Sequence, residues 1–348
     1  MRVDLTAYVE AAADGGTGAA SAEAFGYDGW WAPETTADSF LACGNAAVHT
    51  ERTRIGTGVA IAFARNPMTV ALQANDLQLL SRGRFVLGLG SQVKPHITRR
   101  LSMPWSRPAA RMREFILAVR AIWDTWQTGA PLDFQGDFYA HTLMTPFFNP
   151  GPNPYGNPKI ILAGVGPRMS EVAGEVADGI FCHAFLTERY LREQIVPALR
   201  RGAAKAGREL SEFEIFLPGM FIGRDTEEEM AKGREFVRRQ IGFYGSTPSY
   251  RPVLDLHGWG ALGEELTAIT KRGSWDQLVS VVDDEVLNTF GIIGTPEQVA
   301  EEIRRCYGDI ATRVGMTVAD DANPERWAPV FDLLRSPTDA AALQPSAP

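Results

Sequence analysis

Short apolar or β-branched runs alternate along the chain with longer stretches whose apolar positions recur at helical spacing. The runs predicted as strands are Val3–Leu5, Gly29–Ala32, Arg54–Ala62, Phe85–Leu89, Lys159–Ala163, Gly179–Cys182, Glu214–Ile222 and Thr312–Val318. Between them, Ala19–Phe25 reads as a helix stopped by Gly26, Met68–Leu80 as one closed by Ser81-Arg82-Gly83, and Ser170–Ala177 as a third. Strands separated by helices of ten or more residues need right-handed crossovers and pair in parallel. Eight such units in about 330 residues suit an α/β fold closed as a (β/α)8 TIM barrel better than an open sheet, with a doubly wound sheet as the alternative.

Two stretches break the rhythm. Residues 91–108 and the proline-rich 130–158, which carries Phe134-Gln135-Gly136-Asp137-Phe138-Tyr139, read as loops inserted after strand 4, on the side where barrels keep their active sites. A helical insertion is expected over 226–290. Residues 1–335 are read as a single barrel domain and the Ala/Pro/Ser-rich 336–348 as a disordered tail.

Composition narrows the function. With 348 residues and 45% hydrophobic content the chain can bury one large core. The net charge is −8 and the basic residues are scattered without aromatic interleaving, which argues against nucleic acid as a partner. No run of 18 apolar residues is present, which argues against a membrane partner, and Met1-Arg2-Val3-Asp4 lacks the apolar core of a signal peptide, so a cytoplasmic location is expected. Cys43, Cys182 and Cys306 are far apart without a CxxC pair, as reduced thiols would be; no zinc spacing occurs and no metal is expected.

The most informative segment is Lys159–Ala163 followed by Gly164-Val165-Gly166-Pro167-Arg168-Met169. A strand ends at two glycines, and the proline falls at a first helical position, where its missing N–H costs nothing. Backbone amides and the positive end of the helix dipole would then face outward as a phosphate site; an ordinary turn that binds nothing is the alternative. Ile55-Gly56-Thr57-Gly58-Val59-Ala60 carries two glycines inside a strand, marking either a ligand's approach or a bulky neighbour. Gly88-Leu89-Gly90-Ser91 lacks the third glycine of a dinucleotide fingerprint, and no P-loop, HExxH or GxSxG occurs.

Among titratable groups at strand ends, Glu34 would sit at the barrel mouth or cap the next helix. His183 ends strand 6, and His96 lies in the first inserted loop beside Lys94, Arg99 and Arg100; either histidine could donate a proton near neutral pH or lie idle at the surface. Cys182 points to the opposite face from His183 and is set aside.

Taken together, these segments resemble the luciferase-like monooxygenase superfamily, especially its coenzyme F420 (deazaflavin)-dependent oxidoreductase branch. The resemblance is carried by Phe25–Trp31, Ile55–Val59 with Arg65-Asn66-Pro67, Leu80–Phe85 running into Leu87–Ser91, Ala163–Met169 with Ala173–Gly179, and Gly294–Ala300. It implies a non-proline cis peptide at Gly58-Val59 behind the deazaflavin ring, and a ribityl phosphate on Gly164, Val165, Gly166 and the helix from Pro167. Gly90, Arg168, Met169 and His183 complete the implied cofactor contacts. Glu34 stands where many deazaflavin members carry histidine or aspartate, and Ser91–His96 offers no glutamate where some sugar-phosphate-oxidising members have one. Glu34 and His96 are the candidate catalytic proton donors. Trp30, Trp31, Trp105 and Phe147-Phe148 are candidates for an apolar pocket wall, or are plain core.

The expected activity is therefore a deazaflavin-dependent hydride transfer to or from a small organic substrate. The alternatives are an FMN-dependent monooxygenase of the same fold, or a flavin-binding protein without turnover. As in many superfamily members, a homodimer is expected.

Overall fold

The computed structural model describes residues 1–6, 9–317 and 324–336. Eight parallel strands form the barrel: β1 (Arg2–Thr6), β2 (Gly29–Ala32), β3 (Arg54–Thr57, resuming at Ala60–Ile61), β4 (Phe85–Gly90), β5 (Lys159–Gly164), β6 (Gly179–Cys182), β7 (Glu214–Pro218) and β8 (Arg313–Thr317). Each pairs with its sequence neighbour, β8 pairs with β1, and the β3–β4 pairing completes the circle. The fold is a (β/α)8 TIM barrel.

Helices pack outside: α1 (Asp14–Phe25), α2 (Ser39–His49), α3 (Pro67–Leu80), α4 (Pro108–Thr128), α5 (Pro167–Val176) and α6 (Val196–Lys205). Their boundaries follow local chemistry. Gly26, at φ 88°, closes α1 in the left-handed conformation, and the Asn66 side chain accepts from Thr69 N to cap α3, with Pro67 in its first turn. The insertion over 226–290 is helical as expected, with α7 (Glu227–Gly245), α8 (Arg251–Leu256), α9 (Gly260–Lys271) and α10 (Asp284–Phe290); α11 (Pro296–Tyr307) follows it. Among the described residues no helix is long and apolar enough to cross a membrane.

Three segmental readings need correction. The run Glu214–Ile222 is not one strand: it breaks at Gly219, and Met220–Gly223 leaves the barrel to pair with Gly291–Gly294. Pro218 has no N–H to continue a ladder, and a Cβ on Gly219 would overlap the Phe221 ring at 1.9 Å. Arg54–Ala62 is likewise interrupted at Gly58-Val59. The 130–158 loop contains a small hairpin, Phe134–Gln135 with Ala140–His141, held by Glu114 of α4 accepting from the amides of Asp137, Phe138 and Tyr139. Val318, at the end of the predicted eighth strand, and residues 337–348 of the predicted tail lie outside the described residues.

Strand alternation fills the barrel in layers. At the N-terminal end the layer is ionic. Arg313 grips Asp4 at 2.6 Å through two nitrogens, Asp4 also accepts from Trp31 Nε1 at 3.0 Å, and both charged side chains are essentially inaccessible. Glu214 accepts from Arg54 at 2.7 Å and Lys159 at 3.0 Å. Above lies an apolar layer of Trp31, Val86, Ile161, Phe181 and Phe216, with Phe181 stacked on Phe216 at 4.0 Å. This layer closes the barrel from below and leaves the other end as the mouth.

The ionic layer makes stability pH-dependent. Burial alone would raise the Glu214 carboxyl, but Arg54, Arg313 and Lys159 outweigh it and hold it at about 2. An unfolded glutamate titrates near about 4.3, so the folded pKa is depressed. The stabilisation is present above that value and disappears as the pH falls towards 2. Glu214→Gln should therefore be less stable than the parent at pH 7 and lose less between about pH 4.5 and 2.5. Thermal midpoints across that range check this, and parallel acid limbs for the two proteins would refute it.

Candidate active site at the C-terminal mouth of the barrel

All eight strands point their C-terminal ends at one mouth, so side chains far apart in sequence meet there. At the end of β1, Thr6 lies on the same inward side as Asp4; its Oγ1 is buried and has no hydrogen-bond partner among the described residues. After β2, Glu34 Oε2 accepts from Arg65 at 2.8 Å and from Ile61 N at 2.7 Å, while Arg65 also binds Asp38 at 2.8 Å. Glu34 thus acts as an acceptor that ties the β2 loop to the segment following β3.

The peptide bond Gly58-Val59 is cis. The glycines around it are explained by packing. A Cβ on Gly56 would meet the Trp31 ring at 2.3 Å, and one on Gly58 would meet Trp31 Cβ at 2.9 Å. Across the strand pair, a Cβ on Gly88 would meet Thr57 O at 1.9 Å and one on Gly90 would meet Val59 Cγ2 at 2.7 Å. The bulky-neighbour reading of Gly56 is the one the structure gives. The pattern Gly88-Leu89-Gly90 makes room for the 57–59 turn.

The turn after β5 has the predicted form. Gly166 caps α5 with extended backbone, Pro167 stands in the first turn, and the Gly166 carbonyl accepts from Met169 N and Ser170 N. Among the described residues nothing accepts from the N–H groups of Val165, Gly166 or Arg168. A Cβ on Gly166 would meet no atom within 4 Å, so the turn is open on that side. Met169 packs beside Gly164, and Arg168 is exposed. Unpaired amides at a helix start, with the positive end of the helix dipole behind them, have the chemistry that suits an anion.

After β6, His183 continues the inward side of Phe181, whereas Cys182 is buried on the other face with its thiol pushed up to about 12 by burial. His183 Nδ1 accepts from Phe185 N at 3.0 Å, and its Nε2 lies 3.4 Å from the Tyr250 hydroxyl. Tyr244 meets the imidazole edge-on at 4.6 Å. Burial lowers the imidazole to about 4, so at neutral pH it is uncharged.

Other candidates are scattered. His96 is exposed on a wide helical turn, His96–Arg100, that Arg100 ties to Thr35 O. The aromatic wall does not assemble. Trp30 packs in the outer core, Trp31 forms part of the barrel's middle layer, Trp105 lies against Phe63, and Phe147 and Phe148 are exposed by 90% and 69%. The wall reading assumed neighbours that strand alternation places on different faces. Arg65 and Tyr250, which complete the settings of Glu34 and His183, were not singled out from sequence as site groups; they lie 31 and 67 residues from those partners, and no local spacing marks the contacts.

Fold and site define a TIM-barrel protein whose turn after the fifth strand presents unpaired amides at a helix start. The sequence model described as luciferase-like monooxygenase matches residues 2–313, and the chain belongs to that family of oxidoreductases and monooxygenases. The protein Rv1360 of Mycobacterium tuberculosis is 48% identical over 83% of this chain and 86% of its own. The 5,10-methylenetetrahydromethanopterin reductase of Archaeoglobus fulgidus is 28% identical over 74% of each chain. The structure of the coenzyme F420 dependent tetrahydromethanopterin reductase from Methanopyrus kandleri superposes with a TM-score of 0.76 at 21% identity, covering 96% of this chain and 99% of that one.

Proposed function

We propose that the chain is a coenzyme F420-dependent oxidoreductase that transfers hydride to or from a small organic substrate. The observation that carries this reading is the turn 164–168, whose three unpaired amides and open Gly166 face suit a phosphate on a ribityl chain. The Archaeoglobus reductase supports the choice of a reductase, and the Methanopyrus structure carries F420 dependence in its description. Bound here, the cofactor would give or take the hydride. Val165, Gly166 and Arg168 would hold its phosphate, and Val59 with Gly90 would form the wall for its ring. The Thr6 hydroxyl would meet it as an otherwise unsatisfied donor. Glu34 would keep Arg65 and the Ile61 amide in place beside it.

An FMN-dependent monooxygenase is the second reading, favoured by the family's own description, because FMN carries a phosphate on the same stem. Tryptophan fluorescence of the apoprotein, titrated with F420 and separately with FMN, separates the two. Saturable F420 binding with weak FMN binding is expected; the reverse would replace the proposal with the monooxygenase, and binding of neither would remove both. Binding without turnover on a broad substrate panel would indicate a carrier.

Two further readings belong to the proposal. The three cysteines are buried free thiols, which fits a cytoplasmic setting. Leu41 and Val48 on α2, and Leu72, Leu79 and Leu80 on the neighbouring α3, are exposed at one-face spacings, and a homodimer across these helices would cover them. Val48→Glu combined with Leu72→Glu is expected to convert a dimer to a monomer in light scattering after size exclusion. A parent chain already monomeric at tens of micromolar would end this proposal.

A further inference from the structure

We propose that Tyr250, brought to the mouth by the inserted helices, is a catalytic proton donor to a carbonyl substrate, and that His183 is its positioning residue. The inference rests on the hydride-transfer reading above and names a substrate class for it.

Strand alternation puts His183 on the inward side of β6, one step above Phe181 in the barrel's middle layer. Its Nδ1 accepts the Phe185 amide, so the neutral ring carries its proton on Nε2. That atom reaches the Tyr250 hydroxyl at 3.4 Å, and the two rings lie 4.7 Å apart, tilted by 36°. A ring N–H aimed at a phenol oxygen uses the oxygen's lone pair and leaves the phenol's own proton to be given elsewhere. The surroundings are aromatic, with Tyr244 on His183 and Phe185 about 6.1 Å from Tyr250, and burial keeps the phenol neutral. A polar donor set among rings suits a carbonyl with an apolar flank.

In the reductive direction, the bound reduced cofactor would supply a hydride, whose electron pair would form the new C–H bond as the C=O π bond opens. Tyr250 gives its phenolic proton to the oxygen, forming the alcohol. The tyrosinate accepts from His183 Nε2–H until it regains a proton from solvent. His183 stays neutral throughout, so it orients and stabilises without transferring a proton itself.

Two measurements test this. In apoprotein labelled with 15N-histidine, with the signal assigned through His183→Gln, His183 at pH 7 should be the neutral Nε2–H form, and Tyr250→Phe should shift its Nε2 resonance. An Nδ1–H form, or a resonance that ignores Tyr250→Phe, overturns the pairing whether or not any substrate is known. With a ketone or aldehyde turned over by the F420-loaded protein, Tyr250→Phe should lower kcat by roughly a hundredfold, the usual scale of one proton donor, while KM and F420 affinity stay within about threefold. An unchanged kcat overturns the donor role. Failure of the hydride-transfer reading would appear separately, as absent F420 binding in the parent chain.

Discussion

Replacing Asp4 by Asn is expected to lower the stability of the chain by about 3–5 kcal/mol, the usual loss when one partner of a buried ion pair is removed. Asp4 is inaccessible and Arg313 is 1% exposed, so the guanidinium could not turn to water. Its nearest remaining carboxylate oxygen, Oε2 of Glu214, is 3.7 Å away, and that carboxylate already serves Arg54 and Lys159. Trp31 Nε1 would also lose its charged acceptor. Urea unfolding followed by tryptophan fluorescence and circular dichroism would measure the loss. A decrease below about 1 kcal/mol would mean that Glu214 alone compensates the charge. Asp4→Asn with Arg313→Met should recover part of the deficit, because an apolar pair asks for no compensation.

The second large effect is expected at Gly166. Its backbone is extended, at φ −105° and ψ 161°, which a β-branched residue adopts readily, and a Cβ there meets nothing within 4 Å. Gly166→Val should therefore leave the unfolding midpoint nearly unchanged, apart from a helix-cap cost of about 1 kcal/mol or less. The new methyls would stand on the open side of the turn and crowd a phosphate held by its amides. If those amides hold the phosphate, losing two charge-assisted hydrogen bonds at about 1.5 kcal/mol or more each weakens cofactor binding by about a hundredfold. Calorimetric titration of the folded variant measures this directly. Retained affinity would move the phosphate away from the turn, even with the fold intact.

Much of the barrel was legible because each unit carries its own signal. Apolar runs ended by glycine mark β4 and β5, Gly179 opens the apolar run of β6, and Pro167 after Gly164-Val165-Gly166 marks the start of α5. These signals are local, since strand ends and caps are set by backbone chemistry within a few residues. The misread segments are those where a distant neighbour decides. Glu214–Ile222 is apolar throughout except for its first residue and Pro218-Gly219, and only its pairing with Gly291–Gly294 shows that its second half leaves the barrel. Gly56 and Gly88 looked like ligand approaches or half a fingerprint, but Trp31 and the Thr57 carbonyl occupy the space beside them.

The order of strands and helices, the glycine-proline turn into α5 and the inserted helical stretch followed from the sequence, because period, glycine and proline act on the chain beside them. Tertiary structure decided which charges meet. Closing eight parallel strands brings Arg313 to Asp4, Arg54 and Lys159 to Glu214 and Arg65 to Glu34, and docking of the insertion brings Tyr250 to His183. Those contacts span 31 to 309 residues. A side chain's partner is fixed by barrel register and by the docking of the insertion, neither of which leaves a periodic trace in the residues themselves.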